Sequence, residues 1–118
     1  MKSYFDETTV QYPAVFRNEG SSPINVYWID FDGVEDTLPY YIAVGEQEII
    51  DTANTYPYIF RNSPDDGKQL VASANGVSGE VYEGIKFGAQ EGIDQIVVIT
   101  DGGNIISIGF LPAVASNK

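Results

Sequence analysis

The stretch VYWIDFDGVED, residues 26 to 36, begins as a β-strand and ends in a cluster of carboxylates around Gly33. In a strand, successive side chains point to opposite faces of the sheet. Two apolar rows result: Tyr27, Ile29 and Phe31 on one face, and Ile24, Val26 and Trp28 on the other. A strand in a two-sheet sandwich normally has one apolar and one polar face, so the second apolar row needs an explanation.

This second apolar row can be explained in two ways. Either the strand is central and covered on both faces, or one face is an apolar surface that receives a partner. We predict that Tyr27, Ile29 and Phe31 form the core row, since they are consecutive on one face and continue to the turn. Trp28 would then point outward. The alternative, that Trp28 is itself buried, stays open because Trp is heavily buried on average.

Short apolar runs separated by turn signals continue along the chain and predict an all-β sandwich or barrel. We expect strands at 12–18, 24–31, 37–44, 46–51, 56–61, 68–74, 80–87, 94–100 and 104–110. The last two flank DGG at 101–103, the clearest hairpin signal in the sequence. Most windows of helical length contain Gly or Pro, so little helix is expected. We predict one domain over residues 1–118, with 111–118 as a flexible tail.

Composition limits the partners and the chemistry. The 118 residues include 17 acidic and 6 basic ones, and the net charge of −11 repels nucleic acid and anionic membrane surfaces. Because Cys and His are absent, the chain lacks disulfides, thiolate chemistry, and the commonest general base and metal ligand. No apolar run approaches the ~20 residues that cross a bilayer. We expect a soluble acidic protein, and its compartment stays open.

The acidic residues could suggest a calcium site or the carboxylate pair of a glycosidase, and each has a simpler interpretation. Asp30, Asp32, Glu35 and Asp36 invite comparison with a calcium loop, but Gly33 follows Asp32 directly, which does not fit the spacing of an EF-hand. A polar hairpin turn with solvated carboxylates is the favoured interpretation. Residue order favours no carboxylate pair for glycosidase chemistry. We therefore predict no enzyme activity, no metal and no cofactor.

A family resemblance is carried by an ordered set of segments: FRNEGSSPINVYWIDFDG (16–33), Gly45, IIDTANTYPYIFR (49–61) and GKQLV (67–71). Over roughly residues 15 to 85 the chain resembles the β-domain of the von Hippel–Lindau tumour suppressor family. The resemblance implies an immunoglobulin-like, prealbumin-like β-sandwich of about seven to eight short strands. It also implies an exposed pocket in which the family holds a hydroxyproline of an extended peptide.

The resemblance also implies which residues form the ligand-binding site. The pocket Trp of the family corresponds to Trp28, its hydroxyl-contacting Ser to Thr52, its pocket His to Tyr56, and its second aromatic residue to Tyr58. Aromatic faces can hold a pyrrolidine ring, and hydroxyl groups can satisfy a buried 4-hydroxyl. Because a phenol replaces the imidazole, plain proline or another ring-bearing ligand stands beside hydroxyproline as a candidate.

The pocket Tyr of the family corresponds to Tyr40, in a loop that is longer here, with Tyr41 and Pro39 as alternatives. The chain ends without the helical domain through which the tumour suppressor joins elongins and a cullin, so no ubiquitin-ligase partner is expected. We predict a non-catalytic module with an aromatic groove for an extended, proline- or hydroxyproline-containing protein segment. Two alternatives stay open: a structural or self-associating unit that uses the aromatic face as an interface, and a carbohydrate-binding module.

Overall fold

The structure is a computed structural model that describes residues 1–36, 40–62 and 79–111. These ranges contain eight strands: β1 (Gln11–Asn18), β2 (Ile24–Trp28), β3 (Tyr40–Ile42), β4 (Gln47–Ala53), β5 (Tyr58–Asn62), β6 (Val81–Tyr82), β7 (Gln95–Thr100) and β8 (Asn104–Phe110). Two short 3-10 helices cover Gly84–Phe87 and Asp101–Gly103. None of the described helices has the length and apolarity needed to cross a membrane.

The strands form two four-stranded sheets with the orders β4-β1-β7-β8 and β3-β2-β5-β6. Neighbouring strands are antiparallel except for β1 and β7, which run parallel in the register Phe16 to Val97. The predicted all-β fold is therefore confirmed. The predicted hairpin around DGG is also present, since β7 and β8 pair on either side of it.

Both sheets contribute to one apolar core. The first sheet supplies residues such as Phe16, Ile50 and Val97, and the second supplies residues such as Val26 and Phe60, all of them buried. Phe16 lies at the centre, because its ring makes edge contacts with the rings of Tyr58, Phe60 and Tyr82 at centroid distances of 5.4, 5.2 and 5.4 Å. Edge-to-face aromatic pairs of this kind add to the stability gained from burial itself.

The two apolar faces of β2 have roles opposite to those predicted. Ile24 and Val26 lie in the core between the sheets, and Trp28 packs against the same core at the end of the strand. Tyr27 and Ile29 are buried on the other face, in a separate small cluster with Ile59. The prediction that the Tyr27 row forms the inter-sheet core was therefore wrong. Alternation fixes which residues share a face, but it does not say which of two apolar faces meets the other sheet.

Other strand predictions differ in their bounds. The strand predicted at 80–87 ends at Tyr82, because residues 84–87 form a 3-10 turn that closes on Gly88 at φ 74°. A Cβ at Gly84 would overlap the Tyr12 hydroxyl, so glycine permits the close approach there. The predicted strand at 68–74 and, apart from Leu111, the predicted tail at 111–118 lie outside the described residues.

A chain of polar side chains crosses the core beneath this turn. Tyr82 donates its hydroxyl proton to Gln95 Oε1, so the 2.6 Å hydrogen bond between Tyr12 and Tyr82 has Tyr12 as its donor. Gln95 Nε2 in turn donates to the Phe87 carbonyl at 3.0 Å. Burial raises the pKa of Tyr12 to about 12, and it raises the pKa of Tyr82 as well. The network links both sheets to the 3-10 turn, and burial keeps these phenols protonated.

Candidate functional site

Two depressions adjoin at the end of the molecule where β4 leads into β5. The larger, of about 480 Å³, is lined by residues that include Gln11, Tyr12, Pro13, Asp51, Thr52 and Tyr56. The smaller, of about 230 Å³, is lined by residues that include Trp28, Asp36, Tyr40, Asp51, Tyr56 and Tyr58. Asp51 and Tyr56 line both, so the two depressions are neighbours, and we call the pair the aromatic groove.

The β4–β5 connection and the end of β2 hold the centre of the aromatic groove in place. The Tyr56 amide donates to the Ala53 carbonyl at 3.1 Å and closes the turn after β4. The Ile29 amide donates to the Pro57 carbonyl at 2.9 Å, and Trp28 pairs with Tyr58 in the sheet. Tyr56 and Tyr58 both contact the inter-sheet core while Ile59 faces the other way, as alternation predicts.

Three aromatic rings pack together beside the smaller depression. The Trp28 and Tyr56 centroids are 5.8 Å apart, and Phe31 lies 5.7 Å from Trp28 and 5.5 Å from Tyr56 in edge contacts. Phe31 is 47 % exposed and is not a core residue, in contrast to the prediction. It extends the aromatic surface past the rim of the aromatic groove.

Trp28 is half-buried, and its Nε1–H donor has no hydrogen-bond partner among the described residues. The Nε1 atom is buried, and a buried donor without a partner costs about 1–3 kcal/mol. Trp28 also lines the smaller depression, while its Nε1–H is left without a hydrogen-bond partner among the described residues. Trp28 thus lies on the inner face of β2, and it reaches solvent only because the strand ends there.

Thr52 and Tyr58 form the floor of the aromatic groove. Thr52 Oγ1 and the Tyr58 hydroxyl share a 2.6 Å hydrogen bond, and both residues are buried. Burial is the main cause that raises the pKa of Tyr58, with smaller contributions from the nearby Tyr40, Tyr12 and Tyr56. Each of the two hydroxyls already has a partner within the protein.

Two carboxylates, Asp36 and Asp51, accompany the rings. Asp51 is exposed and lies between Ile50 and Thr52 on β4, opposite Pro13 of β1. The Asp36 amide donates to the Trp28 carbonyl at 2.8 Å, which brings this residue to the smaller depression. The aromatic groove therefore combines apolar ring faces with negative charge.

The acidic stretch before Asp36 has a structural role in its turn. Asp30 Oδ1 accepts hydrogen bonds from the amides of Asp32 and Val34, each at 2.9 Å. Glu35 forms an ion pair with Arg61 at 2.9 Å. In the three described ranges, no group of three or more acidic side chains is placed to hold a metal ion.

All five residues that the sequence predicts for the site line the aromatic groove: Trp28, Tyr40, Thr52, Tyr56 and Tyr58. Of the two alternatives to Tyr40, Tyr41 lies on the opposite face of β3, and Pro39 is outside the described residues. The sequence interpretation missed Asp51, whose only signal was its position beside Thr52. It also missed Asp36, because nothing local indicates that the acidic turn folds back onto Trp28.

Comparison with models of known protein families gives no match, and comparison with curated protein sequences gives none.

Proposed function

We propose that the protein is a non-enzymatic binding module whose aromatic groove receives an extended, proline-containing protein segment. The observation that supports it most is that two depressions lie side by side and share Asp51 and Tyr56 in their linings. Two neighbouring depressions can receive successive residues of an extended chain, and the larger has a volume in the range of ligand sites. As a finer fold assignment, we propose an immunoglobulin-like sandwich similar to the von Hippel–Lindau β-domain, supported by the two sheets that share one core.

The chemistry of the aromatic groove fits a proline-rich backbone. Proline favours the polyproline II conformation, which exposes its carbonyls and docks on aromatic grooves at low entropic cost. The rings of Trp28, Tyr40 and Tyr56 offer such a surface. A small rotation of the indole would let the unpartnered Trp28 Nε1–H donate to a carbonyl of the bound segment, relieving its cost in the free protein.

The hydrogen bond between Thr52 and Tyr58 bears on whether the ring must be hydroxylated. Both hydroxyls are buried and already hydrogen-bonded to each other, so a 4-hydroxyl on the ligand would gain little from them. We therefore expect plain proline and hydroxyproline to bind with similar affinity. A domain that requires hydroxyproline would instead bind the hydroxyprolyl peptide much more tightly than the prolyl one.

Peptide titration tests the proposal directly. Capped Gly-Pro repeat peptides and their hydroxyprolyl counterparts are titrated while the fluorescence of Trp28 is followed, since it is the single Trp of the chain. The proposal expects a saturable change with both peptides. No change with either at about 1 mM peptide, a concentration that corresponds to only weak affinity, would count against it.

A self-associating unit is the second candidate, and the exposure of Phe31 beside Trp28 favours it. Two copies meeting through this face would, however, bring Asp36 and Asp51 of one copy close to those of the other. Each chain also has a net charge of −11. Like charges at an interface oppose association. Sedimentation separates the candidates, because a peptide groove leaves the protein monomeric whereas an interface gives a concentration-dependent mass.

A further inference from the structure

The charge of the aromatic groove restricts the segment that it can bind. Asp51 lines both depressions and Asp36 lines the smaller one, and among the described lining residues none is basic. Arg61 forms an ion pair with Glu35, and Arg17 Nε donates to Gln47 at 3.1 Å. The described lining of the aromatic groove is therefore acidic, in a protein whose net charge is also −11.

The rings strengthen this preference for a cation. The faces of Trp and Tyr carry negative potential and attract ammonium or guanidinium groups within about 6 Å of the ring centroid. Trp28, Tyr40 and Tyr56 line the same depression as the two carboxylates. A guanidinium group fits this combination best, because it is planar enough to stack on a ring and can also form hydrogen bonds with a carboxylate.

A metal ion is a poorer occupant of this position. Calcium takes six to eight oxygen ligands and magnesium takes six, whereas two carboxylates and several rings surround the depression. A side-chain cation with an apolar part can pack against the rings and also interact with the negative charge.

We propose that the aromatic groove recognises an arginine side chain carried by the bound segment, with the guanidinium group over the rings of Trp28 and Tyr56 and against Asp51. This inference rests on the groove being a peptide site, as proposed above, and adds the charge class of its ligand. Arginine would then supply specificity, while the proline-bearing backbone supplies the extended shape.

The experiment compares arginine with citrulline, its neutral isostere. A series of capped Gly-Pro pentapeptides carries one arginine at each position in turn, and a second series carries citrulline at the same positions. Affinities are measured by Trp28 fluorescence for the unmodified protein and for Asp51→Asn. The matched control is Glu19→Gln, which removes the same charge at the far end of β1, about 20 Å from the residue opposite Asp51.

We expect at least one arginine position to bind about fivefold or more tightly than its citrulline counterpart. Asp51→Asn should reduce that ratio, Glu19→Gln should leave it near its original value, and about 0.5 M salt should weaken it. If citrulline and arginine peptides bind equally well at every position, the arginine proposal is wrong while the peptide-binding proposal stands. If no peptide of either series binds, both are wrong. An arginine preference that Asp51→Asn and Glu19→Gln reduce equally would also overturn the inference, because it would reflect net charge alone.

Discussion

Thr52 on β4 and Tyr58 on β5 join the two sheets through a single hydrogen bond of 2.6 Å between their hydroxyls, directly beneath the aromatic groove. Both side chains are buried, so each hydroxyl depends on the other for its hydrogen bonding. This pair fixes the floor of the aromatic groove while Trp28, Tyr40 and Tyr56 form its more accessible surface. We therefore expect substitutions of the floor pair to affect mainly stability, and substitutions of the three accessible rings to affect mainly binding.

The hydroxyl pair can be tested by a double-mutant cycle. Thr52→Val leaves the buried Tyr58 hydroxyl without its partner and should lower the free energy of unfolding by about 1–3 kcal/mol. Tyr58→Phe in the Thr52→Val background should recover part of that loss, because both polar groups are then gone. Chemical denaturation of the four proteins measures the coupling. Simple additivity of the two substitutions would contradict a shared hydrogen bond.

Neighbouring tyrosines on β3 offer a matched pair for the binding surface. Tyr40 is 40 % exposed and lines the aromatic groove, whereas Tyr41 is 37 % exposed on the opposite face of the same strand. Tyr40→Ala should weaken binding of the Gly-Pro peptides about threefold to tenfold, because it removes one aromatic face from the ligand. Tyr41→Ala should leave the affinity unchanged. Equal effects of the two substitutions would place the ligand elsewhere.

The central position of Phe16 predicts a large effect on stability. Phe16→Ala removes a fully buried ring that contacts three others and should cost about 3–5 kcal/mol of unfolding free energy. Ile49→Ala is the control, since Ile49 is 58 % exposed and its loss should change stability by about 0.5 kcal/mol or less. Urea denaturation measures both. A small effect at Phe16 would mean that the sheets do not pack as described.

Alkaline pH should unfold the protein through its buried phenols. Tyr in an unfolded chain has a pKa near 10, whereas burial raises the pKa of Tyr12 to about 12 and also raises those of Tyr58 and Tyr82. The folded state therefore keeps protons that the unfolded state loses. The stability that Tyr12 contributes is complete below pH 10 and is lost as the pH rises from 10 through 12, an effect of about 2–3 kcal/mol.

Denaturation curves at several pH values measure this loss as a slope of unfolding free energy against pH. Tyr12→Phe removes one titrating group and should make the slope shallower, whatever its effect on stability at neutral pH. Ile49→Ala, at an exposed position without a titrating group, should leave the slope as it was. A Tyr12→Phe protein with an unchanged slope would show that this phenol does not titrate on unfolding.

Local sequence signals predicted much of the fold, but they could not predict the orientation of β2. Alternation separated the Tyr27 row from the Trp28 row, and DGG at 101–103 marked the hairpin between β7 and β8. Both rows of β2 are apolar, so hydrophobicity gave no basis for choosing the inner one. Likewise, the turn at Gly84 follows from how closely that residue approaches Tyr12, more than seventy positions earlier in the chain.

Four of the five predicted site residues line the smaller depression and Thr52 lines the larger one beside it, and the resemblance supplied them as a set. The carboxylates had no comparable signal. Asp51 reaches the aromatic groove through the pairing of β4 with β1, and Asp36 reaches it because its amide binds the Trp28 carbonyl. Contacts of this kind depend on strand register and on how a turn folds back, which periodicity within one segment does not encode.

The resonance of the Trp28 indole N–H in a nitrogen-proton correlation spectrum tests the central claim most directly, because the chain has one Trp and that donor has no partner among the described residues. Titration with the tightest Gly-Pro-arginine peptide should move this single peak saturably and downfield, as expected when the N–H acquires an acceptor. A Trp28 peak that stays in place while other resonances report binding would contradict the account, since the ligand would then lie away from the aromatic groove.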